Sequence, residues 1–249
     1  CGAGAAAGTD NSSVTESQSG VNGSEQENAS SDSQKLQIVA TIFPEYDWVK
    51  EILGDQADNV DLTLLLGNGT DMHSFQPTME DILKVSTCDL FIYVGGESDS
   101  WVADALKGAG NPDRKAINLM DVLGDQVKEE EIVEGMQDED GHTHEEEHTH
   151  DDNLEYDEHV WLSLKNASLF CDTIASSLAD VDPEHSRLYQ QNAEAYEEKL
   201  AALDQEYQTS VEKSRSKTLL FADRFPFRYL TDDYNLTYYA AFAGCSAET

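Results

Sequence analysis

Seven histidines carry the clearest chemical signal in this chain, through their placement. Four of them crowd the segment Asp138-Glu-Asp-Gly-His142-Thr-His144-Glu-Glu-Glu-His148-Thr-His150-Asp-Asp. Neutral imidazole is a preferred nitrogen ligand for zinc, and the neighbouring carboxylates add oxygen donors. Alternating His-x-His in a loop lets the chain wrap a cation, and such tracts point to metal binding by composition. The plain alternative is a solvated acidic loop with incidental histidines. Ordering such a loop costs chain entropy, so any binding there should be loose and variable.

Two further histidines sit in a different kind of setting. His73 lies in Gly67-Asn-Gly-Thr-Asp71-Met-His73-Ser-Phe75-Gln-Pro77, and His159 lies in Tyr156-Asp157-Glu158-His159-Val160-Trp161-Leu-Ser163. Each falls in a loop after an expected strand or just before an expected helix, where open α/β folds gather their ligands. Taken singly, either residue reads as well as a polar loop histidine. His185 falls in the first turn of a long helical pattern and is expected to be exposed. Cys88, Cys171 and Cys245 form no Cys-x-x-Cys pair, so no cysteine zinc site is expected. Cys88 and Cys171 read as small core residues.

The elements that must position these groups follow from periodicity. Leu36 to Phe43 is an apolar run of strand length, and Pro44 opens a helical pattern that ends at Gly54. Val60 to Leu66, Leu90 to Val94 and Ala116 to Leu119 read as further strands; a helix opened by Pro77 and a short one from Trp101 to Leu106 stand between them. Strands alternating with helices predict an α/β fold with a parallel sheet and helical crossovers. Val160 to Leu178 is helical in period. Asp182-Pro183-Glu184 then supplies a cap, a proline at the first helical position and an acid in the first turn. Apolar positions continue at helical spacing to Val211, predicting a helix from Pro183 to about Lys213, roughly 45 Å long. That exceeds one small domain and suits a strut between two lobes. Thr218 to Ala222 (strand), Phe225 to Tyr234 (helix) and Tyr238 to Phe242 (strand) read as the start of a second lobe, which the chain is expected to leave incomplete.

Composition bounds the partners. The net charge of −35 argues against nucleic acid, whose phosphates need clustered Lys and Arg. It disfavours docking to anionic lipid and suits attraction of cations. No apolar stretch is long enough to span a membrane as a helix. The chain begins with Cys1, followed by a Gly/Ala run and a Ser/Asn/Gln-rich stretch too polar to build a core. A processed cysteine followed by a tether is similar to a mature bacterial lipoprotein, with lipid on Cys1. The expected organisation is a tether over 1–35, a metal-binding lobe over 36–182 with the His-rich loop at 138–152, a connecting helix over 183–216 and the start of a second lobe over 217–249.

The two single-histidine motifs, the His-rich insert between them and the long helix that follows together resemble the zinc-binding lipoproteins of bacterial ABC importers, within the solute receptors for zinc and manganese. The resemblance runs from about Leu36 to Thr249. It implies two α/β lobes joined by a rigid helix, with the metal held between them and His73 and His159 as first-lobe ligands. It also implies zinc as cargo, with manganese as the rival, and a membrane permease as partner. The implied site is extracytoplasmic, lipid-anchored and monomeric. The family's next ligand is a histidine in a His-x-x-Phe-x-Tyr pattern. Here Phe227 and Tyr229 hold the aromatic places and Arg224 stands at the histidine position; a guanidinium cannot ligate a cation. Asp223, one residue earlier, could supply an oxygen ligand instead; its plain alternative is a strand-end cap or a partner to Arg224. Two other classes remain: a metallohydrolase with Glu158 as base, although no His-Glu-x-x-His spacing occurs, and a surface adhesin.

Overall fold

The structure is a computed structural model that describes residues 35–67, 69–136 and 155–245. The tether, Cys1 and the loop 138–152 therefore lie outside the described residues. Four strands, β1 (Leu36–Ala40), β2 (Val60–Leu64), β3 (Leu90–Tyr93) and β4 (Lys115–Asn118), form one sheet in the order β2-β1-β3-β4, every pair parallel. The connections are α1 (Phe43–Leu53), α2 (Met79–Thr87) and α3 (Val102–Lys107), with α4 (Leu119–Leu123) following β4.

These strands read as continuous apolar runs because both faces are covered. Ile38, Leu90, Ile92 and Ile117 face one way, onto a core with Trp48 and Ile52 of α1 and Phe170 and Ile174 of α5 (Leu164–Val181). Val39 and Phe91, one residue out of phase, face the other way, onto Val85 of α2 and Val102 and Ala105 of α3. Cys88 and Cys171 are buried in these two cores, as their apolar settings suggested.

Helix starts are set by side-chain caps. α2 begins after Thr78, whose hydroxyl accepts from Asp81 N at 3.2 Å while Asp81 accepts from Thr78 N at 2.9 Å. Pro77 thus lies before the cap and does not open the helix. α5 starts later than its periodicity suggested: Val160–Leu162 is a 3-10 turn, and the Ser163 hydroxyl caps Asn166 N at 3.2 Å.

The long helix α6 (Ser186–Lys213) has 28 residues, about 42 Å, and is preceded by a 3-10 turn at Pro183–His185. Its first half lies along α5 and α1, where Asn192 Nδ2 donates to Ile52 O at 2.9 Å. Asp182 was expected to cap this helix and instead binds side chains, taking His185 Nδ1 at 2.8 Å and the Tyr189 hydroxyl. His185 is accordingly half-buried and paired, against the expectation of simple exposure. The second half of α6 carries α7 (Arg228–Asp233) through Tyr234, just beyond it. The Tyr234 hydroxyl donates to Asp204 Oδ1 at 2.8 Å, and its ring stacks on Tyr207 at 5.6 Å.

Beyond α6, β5 (Thr218–Phe225) and β6 (Thr237–Ala243) pair in parallel across α7. Their register shifts between Phe221 and Arg224. No helix among the described residues is long and apolar enough to cross a membrane.

Phe170 is fully buried and packs on Trp48 with ring centroids 5.7 Å apart. Phe170→Ala should cost about 3–5 kcal/mol of stability. Urea unfolding should show this as a lower midpoint with an unchanged slope.

Candidate metal centre

In this strand order the chain leaves β1 toward β2 on one side and returns to β3 on the other. The carboxyl ends of β1 and β3 therefore diverge into a crevice, the place where open α/β sheets bind ligands. His73 is brought there by the loop after β2. That loop closes as a 3-10 turn, Met72–Ser74, with Asp71 Oδ1 accepting from His73 N at 3.0 Å. The loop after β3 supplies the orienting contact, Ser98 Oγ to His73 Nδ1 at 3.0 Å.

His159 arrives from 86 residues further on. Its backbone N and ring Nδ1 both meet Asp157 Oδ1, at 2.8 and 3.0 Å. A carboxylate can only accept, so Nδ1 carries the proton and Nε2 keeps its lone pair. Asp157 is held in turn by the chain that flanks the His-rich insert. Glu129 and Tyr156 form an antiparallel bridge, and Asp157 N donates to Lys128 O at 2.9 Å. The Tyr229 hydroxyl ties this root to α7, donating to Asp157 O at 2.8 Å and accepting from Lys128 N at 3.1 Å.

The result is that His73 Nε2 and His159 Nε2 stand 3.4 Å apart. Two nitrogens bound to one tetrahedral zinc at about 2.0–2.1 Å are separated by about 3.3–3.4 Å. With both Nδ1 atoms engaged, both Nε2 atoms turn toward a common position, where each can offer a lone pair to a cation. The residues present fit a divalent transition metal.

The rest of the expected ligand set is rearranged. Asp223 is not brought to the imidazoles: it is exposed, and its Oδ1 accepts from Arg224 N at 2.8 Å. The physical cause is the register shift in β5, which gives Arg224, not Asp223, the ladder position opposite Phe242. Arg224 then reaches across to Asp71 Oδ2 at 3.4 Å. The group that does arrive is Cys245, just past β6: His73, His159 and Cys245 offer ligand atoms within 4.8 Å of one another. His142, His144, His148 and His150 lie outside the described residues.

Buried acids lie behind the imidazoles. Glu158 is 3% exposed; its Oε1 accepts from Ser98 N at 2.9 Å, and its Oε2 lies 3.7 Å from His73 Nδ1. Gly96 makes room for it: at φ 76° a Cβ there would stand 2.3 Å from Glu158 Oε1. Burial holds the His73 imidazole below its ordinary range, the neighbouring His159 ring adds to this, and Glu158 and Asp71 offset part of it. Burial pushes the Asp99 carboxyl up to about 6, with Glu158 contributing and the Gly95 N–H opposing. Glu45, fully buried in the first turn of α1, is raised well above its usual value by the same desolvation. Burial also pushes the Cys245 thiol upward.

Sequence reasoning singled out His73 and His159 but missed Ser98, Asp157, Tyr229 and Cys245 as parts of the site. The Asp-x-His spacing carried a signal for Asp157, since that pattern favours a side-chain turn. Nothing local marks Ser98 or Cys245.

Fold and centre together define a doubly wound α/β chain with a paired-imidazole cation site at its switch point. Residues 38–249 match the family described as zinc-uptake complex component A, periplasmic. The chain belongs to that family. It is 33% identical over 206 residues to the zinc-binding lipoprotein AdcA of Streptococcus pneumoniae, an alignment covering 81% of this chain and 38% of that protein. It is 32% identical over 215 residues to the high-affinity zinc uptake system protein ZnuA of Bacillus subtilis, covering 86% of this chain and 63% of that one. The crystal structure of the Zn(II)-bound ZnuA-like domain of S. pneumoniae AdcA superposes with a TM-score of 0.65 at 28% identity, covering 84% of this chain and 67% of that one. The chain thus spans less than two thirds of the length of these curated relatives.

The raised carboxyl of Asp99 has a defined sign. Its native value of about 6 exceeds the ordinary 3.8, so the protonated form is favoured by folding and its contribution is lost as pH rises through about 6. Asp99→Asn, which keeps an oxygen for Gly95 N, should gain stability relative to the parent as pH rises from 4 to 7. Urea midpoints of both proteins across that range measure the difference.

Proposed function

We propose that this chain captures zinc outside the cytoplasm and passes it to the membrane permease of an ABC importer, with no chemical reaction of its own. The observation that carries the reading is the pair of imidazole Nε2 atoms 3.4 Å apart, each oriented through its Nδ1. Membership of the zinc-uptake family supports it, as do the relatives named for zinc binding. His73 and His159 are the capture residues, and Asp157 and Ser98 hold them in the binding orientation. Nitrogen donors favour zinc over manganese, which takes oxygen-rich sites.

The anchoring half of the reading, lipid on Cys1 at the outer face of the cell membrane, is supported by the relative named as a lipoprotein. The His-rich segment 138–152 would collect zinc for the site. Its roots, at Glu129 and Tyr156, adjoin Asp157, which orients His159.

A hydrolytic reading fares worse on geometry. A base for a metal-bound water must face the metal side of the imidazoles. Glu158 approaches His73 at Nδ1, the ring nitrogen away from the shared position, and its other oxygen is spent on Ser98 N.

Calorimetric titration of zinc and manganese into the chain tests the proposal. One tight zinc site should vanish in His73→Ala and in His159→Ala. Zinc affinity undiminished in both variants would sink the reading. Asp157→Asn should weaken zinc by about 10–100-fold, the usual cost of losing a residue that orients a ligating histidine.

A further inference from the structure

We propose that Cys245 is the third cation donor, so that the centre is a two-imidazole, one-thiolate site selective for thiophilic divalent ions such as zinc, cobalt and cadmium. The inference deepens the capture reading of His73 and His159 and rests on it.

Three observations carry it. The first is proximity: His73, His159 and Cys245 offer ligand atoms within 4.8 Å of one another, and Cys245 Sγ lies against the His159 ring, 4.0 Å from Nδ1, the nitrogen held by Asp157, so the thiol must turn past it to reach the Nε2 side. A tetrahedral zinc with bonds of about 2.0–2.1 Å to nitrogen and 2.3 Å to sulfur sets its nitrogen and sulfur about 3.6 Å apart. The thiol therefore lies beside the His159 ring without being at coordination distance, and a rotation about its own Cα–Cβ bond is the movement that would bring it to the Nε2 side.

The second is that the backbone bearing this thiol is shaped to reach the imidazole. A Cβ on Gly244 would stand 2.6 Å from Phe225 O and 3.3 Å from His159 Cε1. Only glycine lets the end of β6 press this close to the ring. The next residue is pinned there, with Cys245 N donating to Glu130 Oε1 at 2.7 Å. Glu130 belongs to the same paired segment that positions Asp157, through Glu130 N to Glu155 O at 2.8 Å. One small ladder thus places both His159 and Cys245.

The third is the fate of the alternative donors from the β5–β6 side. Arg224 cannot ligate, and its guanidinium is engaged with Asp71 at 3.4 Å. Asp223 faces away. Among the described residues, the donor that this part of the chain sends to the imidazoles is a sulfur from the end of β6. On binding, the thiol's S–H bond breaks, the proton leaves to solvent and the sulfur's electron pair goes to the cation. A thiolate disfavours manganese, which prefers hard oxygen donors, so Cys245 would set selectivity.

The test is a cobalt(II) titration of the full chain and of Cys245→Ser, read by absorption. Cobalt–thiolate bonding gives intense near-ultraviolet charge-transfer absorption, distinct from the weaker visible bands of any tetrahedral cobalt. The expected result is a charge-transfer band in the full chain, lost in Cys245→Ser while the visible bands remain, together with a lower zinc affinity and an unchanged manganese affinity. A second readout does not depend on the variant folding: saturating zinc should protect Cys245 of the parent chain from alkylation, as located by mass spectrometry. Visible bands without charge transfer, a band that survives in Cys245→Ser, or alkylation of Cys245 unaffected by zinc would overturn the thiolate and leave the capture reading standing. No cobalt or zinc bound by the parent chain would overturn both.

Discussion

The site depends on holding two imidazole nitrogens 3.4 Å apart and turned toward one position. Left to itself, a chain would not hold that arrangement, because fixing two side chains costs entropy and each imidazole is better solvated in water. The fold imposes it by fixing the opposite nitrogen of each ring. Asp157 accepts from His159 Nδ1, and Ser98 meets His73 Nδ1. Each of those partners is itself held: Asp157 by the ladder beside the His-rich insert and by Tyr229, Ser98 by the Glu158 carboxylate. Because the rings are already oriented, a cation does not have to supply their ordering cost, and this favours binding.

The electrostatic setting is mixed: the Glu158 carboxylate beside His73 favours a cation, while burial pushes Glu45 and Asp99 toward their neutral forms. Isolated buried acids are costly, and here backbone N–H groups at Thr41, Ile42, Gly95 and Ser98 offset the cost. The chain's net charge of −35 favours cations at long range. Arg224 is the local exception, and its pairing with Asp71 moderates its repulsion of a cation.

Much of the architecture was legible from periodicity alone. The four parallel strands have both faces covered, so their apolar runs stand out against polar loops, and the predicted order of strands and helices matches the observed one. Element ends were less legible because side-chain caps decide them: Thr78 and Ser163 shift the starts of α2 and α5 away from where hydrophobic spacing begins. In β5, no sequence pattern marked the register shift between Phe221 and Arg224, since a bulge depends on the partner strand as much as on its own residues. Asp223 takes the other place open to it, as a partner of Arg224.

By itself the sequence determined the α/β class, the two histidine motifs and the strand-end loops that carry them. These are local properties: hydrophobic spacing sets elements, and loop position sets exposure to a crevice. Only the tertiary structure decided which donors meet. Ser98 lies 25 residues from His73, and Cys245 lies 86 residues from His159. Neither carries a local mark, because a ligand set is defined by distances between chain segments that only the packed sheet and its crossovers bring together.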